Sequence, residues 1–386
     1  MEATRTDTKK NEIKYEKSEL ELMTTYQLRE ICRREKIMNG VIHPLDKEEL
    51  IQTIMRYMGK RQDFLICDRK KGGEERVEEF LKNTRIVIKP CKELYCQSQI
   101  LAYEGLSIEY YDGYTIPYKK ELSGTNAFLM GSDMTLCAIL NLKEHGGRQE
   151  KLYLTKAAEL EIRETQRKDY RIFCMGRQTS ESLYHLYYGE HTILPEHIEV
   201  YSIPLIDFVV RKPVTLMLPM AIDFGSVNTT AGVYLDSAYF EHVGQQAAIK
   251  NCRENEINYT VFEDGAGESM LLPSVIGVLA VEEEDYKLLF GYDAIRLANA
   301  SYVDEGFCVF YDVKRWIGEY DKEEEIVDRQ GRRRLVKRAE ILRRFFLYII
   351  RKTENRFKCR ISQVHISSPV KQKHYFRRMF REIDAE

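Results

Sequence analysis

Near the middle of this chain, an aspartate ends an apolar run and a turn without bulk follows it. In MAIDFGSVNTTAGV, residues 220–233, Asp223 stands at the carboxyl end of a strand-like segment. Gly225, Ser226, Val227, Asn228 and Thr229 come before the next apolar run. Such a tip can turn several backbone N–H groups toward one point, an arrangement that suits phosphate oxygens. A carboxylate repels phosphate directly, so that chemistry needs a hydrated Mg2+ between the two. Mg2+ takes few protein ligands and keeps several waters, which fits a single Asp. An ordinary polar hairpin, with Asp223 merely near its turn, accounts for the same residues equally well.

Positioning such a turn requires a strand on each side and a cover for their apolar face. The segment 339–357, AEILRRFFLYIIRKTENRF, carries Leu342, Phe345, Phe346, Ile349 and Ile350 on one helical stripe. Arg343, Arg344, Arg351 and Lys352 stand on the other side. A helix with this pattern covers a sheet. The strand after it, VHI at 364–366, is then expected as a parallel neighbour reached by a right-handed crossover. The charged block before the helix, EYDKEEEIVDRQGRRRLVKRAE, fits an exposed loop or hairpin. Its acidic run argues against a nucleic-acid patch at GRRRLVKR.

Taken together, these segments resemble Hsp70-type ATPase domains of the actin/Hsp70/sugar-kinase superfamily, in order, over about residues 218–386. MAIDFGSVNTTAGV looks like the family's first phosphate motif, and LLPSVIGV (271–278) like the Pro-Ser strand after the first hairpins. LLFGYDAIRLANA (288–300) resembles the short strand and helix that follow. VFYDVKRWIG (309–318) resembles the family's Val-Phe-Asp-x-Lys-Arg-Leu-Ile-Gly, with one extra residue early and Trp316 for Leu. AEILRRFFLYIIRKTENRF resembles the next helix, and QVHISSP (363–369) the strand ending in Val-Pro, with Ser368 for Val.

The resemblance implies ATP and Mg2+ as cofactors and assigns roles to individual residues. Asp223 looks like the aspartate that orients Mg2+ through water. Ser226 stands where the family has a phosphate-contacting Thr or Ser. Asn228 and the turn at Gly225, Ser226 and Val227 would complete the phosphate grip. Lys314 matches the lysine that reaches the γ-phosphate and the attacking water, where a cation stabilises developing charge. With Asp223, it is the candidate catalytic group. Arg315 and Trp316 are expected in packing or at the surface.

The resemblance also has gaps. The chain contains no second, Asp-x-Gly-Gly-Gly-Thr-like phosphate motif, no adenosine-binding Gly-rich segment and no peptide-binding domain. Asp264-Gly265-Ala266-Gly267 lacks the strand-turn context and reads as a loop. A truncated piece of a longer chaperone-like or regulatory ATPase is the favoured expectation. A split protein whose missing half is another polypeptide, or a degenerate module, are the others. Each implies little or no ATP hydrolysis by this chain alone and an exposed apolar surface seeking a partner. The alternative function is a nonenzymatic protein- or DNA-binding scaffold.

The fold expected overall is α/β. A partial actin-like, ribonuclease H-like ATPase fold at 218–386 follows a strand-rich α+β region at 75–217 and a small helical module at 23–62. Residues 1–22 are expected to be flexible, frayed or only weakly helical. In the helical module, Thr24 or Thr25 caps TTYQLREICRREKI, and Asp46 with Glu49 forms a capping-box-like pair before KEELIQTIMRYM. Leu28-Arg29-Glu30-Ile31-Cys32 and Glu49-Leu50-Ile51 resemble SAP-type helix-extended-loop-helix modules, which often bind DNA. Lys36, Lys47, Arg56, Lys60 and Arg61 could meet phosphates. Glu30, Glu35, Glu48 and Glu49 dilute them, and a protein contact is preferred to nucleic acid. DRKKGGEE, 68–75, reads as a solvated linker.

In the middle region, TRIVIKP, LSIEYYDG, NAFLMG, MTLCAILNL, KLYLTKAAELEI, YRIFCMG and IEVYSIPLIDFVV read as strands. YYDGYTIPY and YHLYYGEH suggest sheet faces or an interface. His145, His185, His191 and His197 are too scattered for a site, and Glu181 with His185, an i,i+4 pair if the segment is helical, makes only half of one. A net charge of −2 from 59 Lys plus Arg and 61 Asp plus Glu gives no pull toward nucleic acid or membrane. Nine cysteines at irregular spacing, Cys91 and Cys96 the closest pair, give no redox or zinc motif. A polar N-terminus and the lack of any run of about 18 apolar residues point to a cytoplasmic protein without a membrane span.

Overall fold

The computed structural model describes residues 15, 17–34, 46–58, 64–97, 99–145, 150–156, 162–163, 169–205, 208–244, 247–263, 267–283, 285–299, 308–367 and 373–383. Three helices, Lys17–Leu22, Thr25–Arg34 and Lys47–Met58, pack around Leu20, Leu28, Ile31, Cys32, Leu50, Ile51 and Ile54. Both expected caps form. The Gln27 amide donates to Thr24 Oγ1 at 3.3 Å and the Thr24 amide to Gln27 Oε1 at 2.8 Å. Asp46 and Glu49 exchange the same pair of bonds at 2.9 and 3.0 Å. Helix begins at Lys17, inside the stretch expected to be frayed or weakly helical, because Leu20 completes this small core. Lys36, Lys60, Arg61 and the loop at 38–45 lie outside the described residues, as does the side chain of Arg56.

The stretch read as a linker is tied down instead. Asn126, wholly buried, accepts from the Ile66 amide at 2.9 Å and donates to the Phe64 carbonyl at 2.7 Å. The Lys70 amide donates to Tyr187 Oη at 3.2 Å, so residues 64–70 run as a strap across the middle region. Gly72, at φ 75°, turns the chain into the helix Gly73–Asn83. A side chain at Gly73 would stand 2.7 Å from the Tyr187 ring, so only glycine lets that helix start so close.

The middle region is a seven-stranded sheet. Its order is Arg85–Lys89, His197–Leu205, Tyr170–Met175, Thr125–Gly131, Leu136–Lys143, Lys151–Thr155, Thr115–Pro117. The first two strands are parallel and the other neighbours antiparallel. Every residue of Thr125–Gly131 is buried, because both faces are covered. The helices Gly73–Asn83 and Arg177–Tyr188 cover one face through Val77, Leu81, Leu183 and Tyr184. Tyr114, Ile116, Leu152 and Leu154 help fill the other. YHLYY belongs to a helix, the one on which Glu181 and His185 are spaced i,i+4, and its Leu183, Tyr184 and Tyr187 reach the sheet. One strand expectation changes. Within LSIEYYDG, Tyr110–Asp112 is a 3-10 turn closed by a Glu109/Asp112 capping box.

The C-terminal unit centres on Met220–Phe224. This strand pairs antiparallel with Asn228–Leu235, which pairs antiparallel with Glu256–Tyr259. On its other edge lies Val364–Ile366, parallel to it, as the helix-crossover pattern requires. Met220, Ile222 and Phe224 alternate inward and Ala221 and Asp223 outward. The helix Arg338–Phe357 covers the inner side, with Phe224 at ring-centroid distances of 5.8 and 5.1 Å from Phe345 and Phe346. Leu216 joins this core, and Val214–Leu216 pairs in parallel with Cys359–Ile361, so the unit begins ahead of residue 218.

The charged block forms the hairpin Glu323–Val327 and Arg333–Lys337. Buried Asp328 fastens its turn, accepting from the amides of Val281, Gln330 and Arg332 and from the Arg332 guanidinium at 2.6–3.0 Å. Burial works against the carboxylate. These donors outweigh it and hold its pKa below the ordinary 3.8. A carboxyl held low when folded contributes stability above its unfolded pKa, lost as pH falls through the folded value. The hairpin is therefore expected to loosen below about pH 4, and Asp328→Asn to remove that acid sensitivity. Amide exchange at Val281 and Arg332 checks this; equal protection at about pH 3 and about pH 6 would contradict it.

The middle and C-terminal units meet at a buried charge pair. Lys358 Nζ donates to Asp112 Oδ2 at 2.8 Å and to the Ser107 carbonyl at 3.0 Å. The two side chains are 3% and 2% exposed. The YYD turn thus lies in an interface, where Tyr110 Oη donates to Glu268 at 2.7 Å and Arg356 stacks on Tyr111.

Candidate functional site

Asp223 lies one residue before the end of its strand, exposed on the outer face. Its neighbour across the parallel edge is Ser367, just past Val364–Ile366. The Ser367 hydroxyl donates to Asp223 Oδ1, and the Ser367 amide donates to the Ile222 carbonyl at 2.8 Å. Both side chains therefore emerge at the carboxyl ends of parallel neighbours, where open α/β sheets hold their ligands.

The turn at Gly225, Ser226 and Val227 is tight. The Gly225 amide donates to the Asn228 carbonyl at 3.1 Å, and a Cβ on Gly225 would lie 2.3 Å from that oxygen. Nothing larger than glycine fits without moving the backbone. From outside, Ser274 grips the turn. Its amide donates to the Val227 carbonyl and its hydroxyl to the Gly225 carbonyl, each at 2.8 Å. The buried Thr229 hydroxyl meets Ser274 Oγ at 2.9 Å. The amides of Ser226 and Val227 donate to nothing among the described residues. No turn residue has positive φ, so these donors come from a plain turn rather than from alternating right- and left-handed residues.

Lys314 arrives through the neighbouring sheet. Ile276, two residues past Ser274, pairs with Phe310, and Val313–Glu319 follows as a 3-10 helix. Lys314 is half-buried and has no hydrogen bond or ion pair among the described residues. Beside it, Asp312 adopts a left-handed conformation at φ 53°. Asp312 pairs with Arg315 through Oδ2, and its Oδ1 is buried without a partner. Trp316 and Ile317 pack inward, Trp316 at 4.9 Å from the Phe310 ring, while Arg315 is exposed.

Asp223, Gly225, Ser226, Val227 and Asn228 thus share one strand end and its turn. Among the described residues, no group of three or more His, Cys, Asp or Glu converges on a metal position. A cation at Asp223 would have one carboxylate and water as its shell, a donor set that Mg2+ accepts. Two unspent amides and a lysine without a counterion are the donors that phosphate oxygens take.

Elsewhere the chemistry is spent. A cleft of about 450 Å³ is lined by Val281, Glu282, Glu283, Arg332, Arg333 and Arg334. Arg332 and Arg333 there are committed to Asp328 and Glu325. His185 bonds Glu190 at 2.6 Å rather than Glu181, and His145 stacks on Tyr110 at 3.7 Å. Asp264, Gly265 and Ala266 lie outside the described residues. None of the nine cysteines forms a disulfide. Burial pushes the thiols of Cys32 and Cys137 up to about 11, which makes them inert packing groups at neutral pH.

Ser367 and Ser274 were missed as site residues. The sequence signal for Ser367 was a hydroxyl residue directly after an apolar strand, and for Ser274 one at the start of a strand. No protein-family model and no curated protein matches this chain.

Proposed function

We propose that the C-terminal unit is an Hsp70-like ATP-binding module of the actin-like, ribonuclease H-like type. The chain would belong to a chaperone-like or regulatory ATPase and bind Mg2+–ATP with little or no hydrolysis of its own. The observation that carries this reading is the placement of Asp223 and Ser367 at the ends of two parallel strands, beside a glycine-led turn with two unspent amides. Bound Mg2+ would supply charge neutralisation for the phosphates. Asp223 holds the waters of that ion, the Ser226 and Val227 amides and the Asn228 side chain face phosphate oxygens, and Lys314 takes the terminal phosphate.

Binding without turnover is preferred because the sequence carries a single phosphate hairpin of this kind. A protein partner is expected over the turn. Val227 is 74% exposed in it, and Met270 and Leu271, at 55% and 46%, lead directly into the residues that pair with Thr229. The N-terminal helices fit a protein contact better than nucleic acid. Among the described residues no helix is long and apolar enough to cross a membrane. Nine cysteines without a disulfide fit the reducing, cytoplasmic setting proposed here. The test is a phosphate-release assay run beside equilibrium binding of ATP. Saturable Mg2+-dependent binding with negligible phosphate release is expected; brisk hydrolysis by the isolated chain, or no binding, contradicts the proposal.

A further inference from the structure

We infer that Ser367 is a positioning residue for Asp223, fixing which carboxylate oxygen is offered to the hydrated cation. The inference rests on the Mg2+–ATP reading of this site. An exposed aspartate at a strand end rotates about its side-chain bonds, and each orientation presents different lone pairs to water. Here one oxygen is taken, because the Ser367 hydroxyl donates to Asp223 Oδ1. The hydroxyl itself cannot wander far. The Ser367 amide is bonded to the Ile222 carbonyl at 2.8 Å, next in sequence to Asp223. Met220, Ala221 and Ile222 stand opposite Val364, His365 and Ile366 in the same ladder. The parallel ladder therefore carries Ser367 to the level of Asp223, leaving Oδ2 as the oxygen open to water.

This is the division of labour that tunes metal sites generally, where a hydrogen-bond donor behind a ligand orients it and removing the donor weakens the metal. A serine also suits the place sterically. Asp223 faces the solvent side of the sheet, on which Ala221 and His365 are exposed, so the hydroxyl approaches from a neighbouring strand without displacing core side chains.

The experiment uses the full chain, titrated with ATP in excess Mg2+ and again with ATP in EDTA, for the wild type, Ser367→Ala and Ser367→Thr. Ser367→Ala is expected to weaken Mg2+–ATP binding about tenfold or more while leaving binding in EDTA unchanged, and Ser367→Thr to restore it. A general packing defect would lower both affinities together and would overturn the assignment. So would Ser367→Ala binding Mg2+–ATP as tightly as the wild type. Wild-type protein that binds no Mg2+–ATP at all removes the function proposed for the site, and this inference with it. The two failures are thus told apart by the wild-type titration.

Discussion

Replacing Lys358 with methionine is expected to destabilise the protein by about 3–5 kcal/mol, the usual loss when one partner of a buried ion pair is removed. Lys358 and Asp112 are 3% and 2% exposed and lie 2.8 Å apart. The lysine also satisfies the Ser107 carbonyl. Without it, Asp112 keeps only the Glu109 amide, at 2.8 Å, and no counterion in its immediate contact. Burial already pushes the Asp112 carboxyl up, and Lys358 is the main charge opposing that. In the variant, the carboxyl would take up a proton more readily, so the loss should shrink as pH is lowered. Backbone strain is a separate matter, because Lys358 sits at φ 52°, a left-handed position usual for glycine after a helix. Lys358→Gly relieves that strain but loses the same charge, so it should also be destabilised. Combining Lys358→Met with Asp112→Leu should cost less than the two single changes added. Urea unfolding followed by the fluorescence of Trp316 reads the effect at the C-terminal unit. An unmoved midpoint in Lys358→Met would show that the two units do not depend on this pair.

The second large effect concerns Lys314. If its ammonium meets the terminal phosphate, Lys314→Ala should weaken ATP binding by about 10- to 100-fold, as losing a hydrogen bond to a charged group costs about 1.5–3 kcal/mol. ADP lacks the group that Lys314 is assigned to and should bind the variant nearly as well as the wild type. The ratio of the two affinities is therefore the quantity to measure. Lys314 is half-buried and has no ion-pair partner among the described residues, so its removal breaks no internal salt bridge. Equal losses for ATP and ADP would place the lysine elsewhere on the nucleotide or make its role structural.

Local signals were legible where neighbours in sequence decide the structure. The Thr24/Gln27 and Asp46/Glu49 boxes close within one helical turn, and the stripe of Leu342, Phe345, Phe346 and Ile349 required a sheet beneath it. NAFLMG likewise read as a strand, though not as one buried on both faces. What stayed hidden depends on distant partners. A helix through Tyr184 and Tyr187 was readable from the spacing of Glu181 and His185, but its packing against Phe128 and Phe173 was not. DRKKGGEE looks solvated, but Asn126, Tyr187 and Tyr188 bind the chain leading into it. The helix end before Lys358 was legible, but the buried partner of Lys358 lies 246 positions away. At the candidate site the same division holds. Asp223 and its glycine turn stood out because strand and turn are contiguous. Ser367 and Ser274 act across 144 and 49 positions, through strand register that no short motif encodes.

The placement of a nucleotide at the Asp223 turn is tested most directly by calorimetric titration of Mg2+–ATP into the wild-type chain and into Asp223→Ala. Saturable binding by the wild type is expected, with affinity in Asp223→Ala reduced by about 10- to 100-fold in Mg2+ and unchanged or strengthened in EDTA, where the carboxylate only repels phosphate. Identical titrations for the two proteins in Mg2+, or no heat of binding with the wild type, would contradict it.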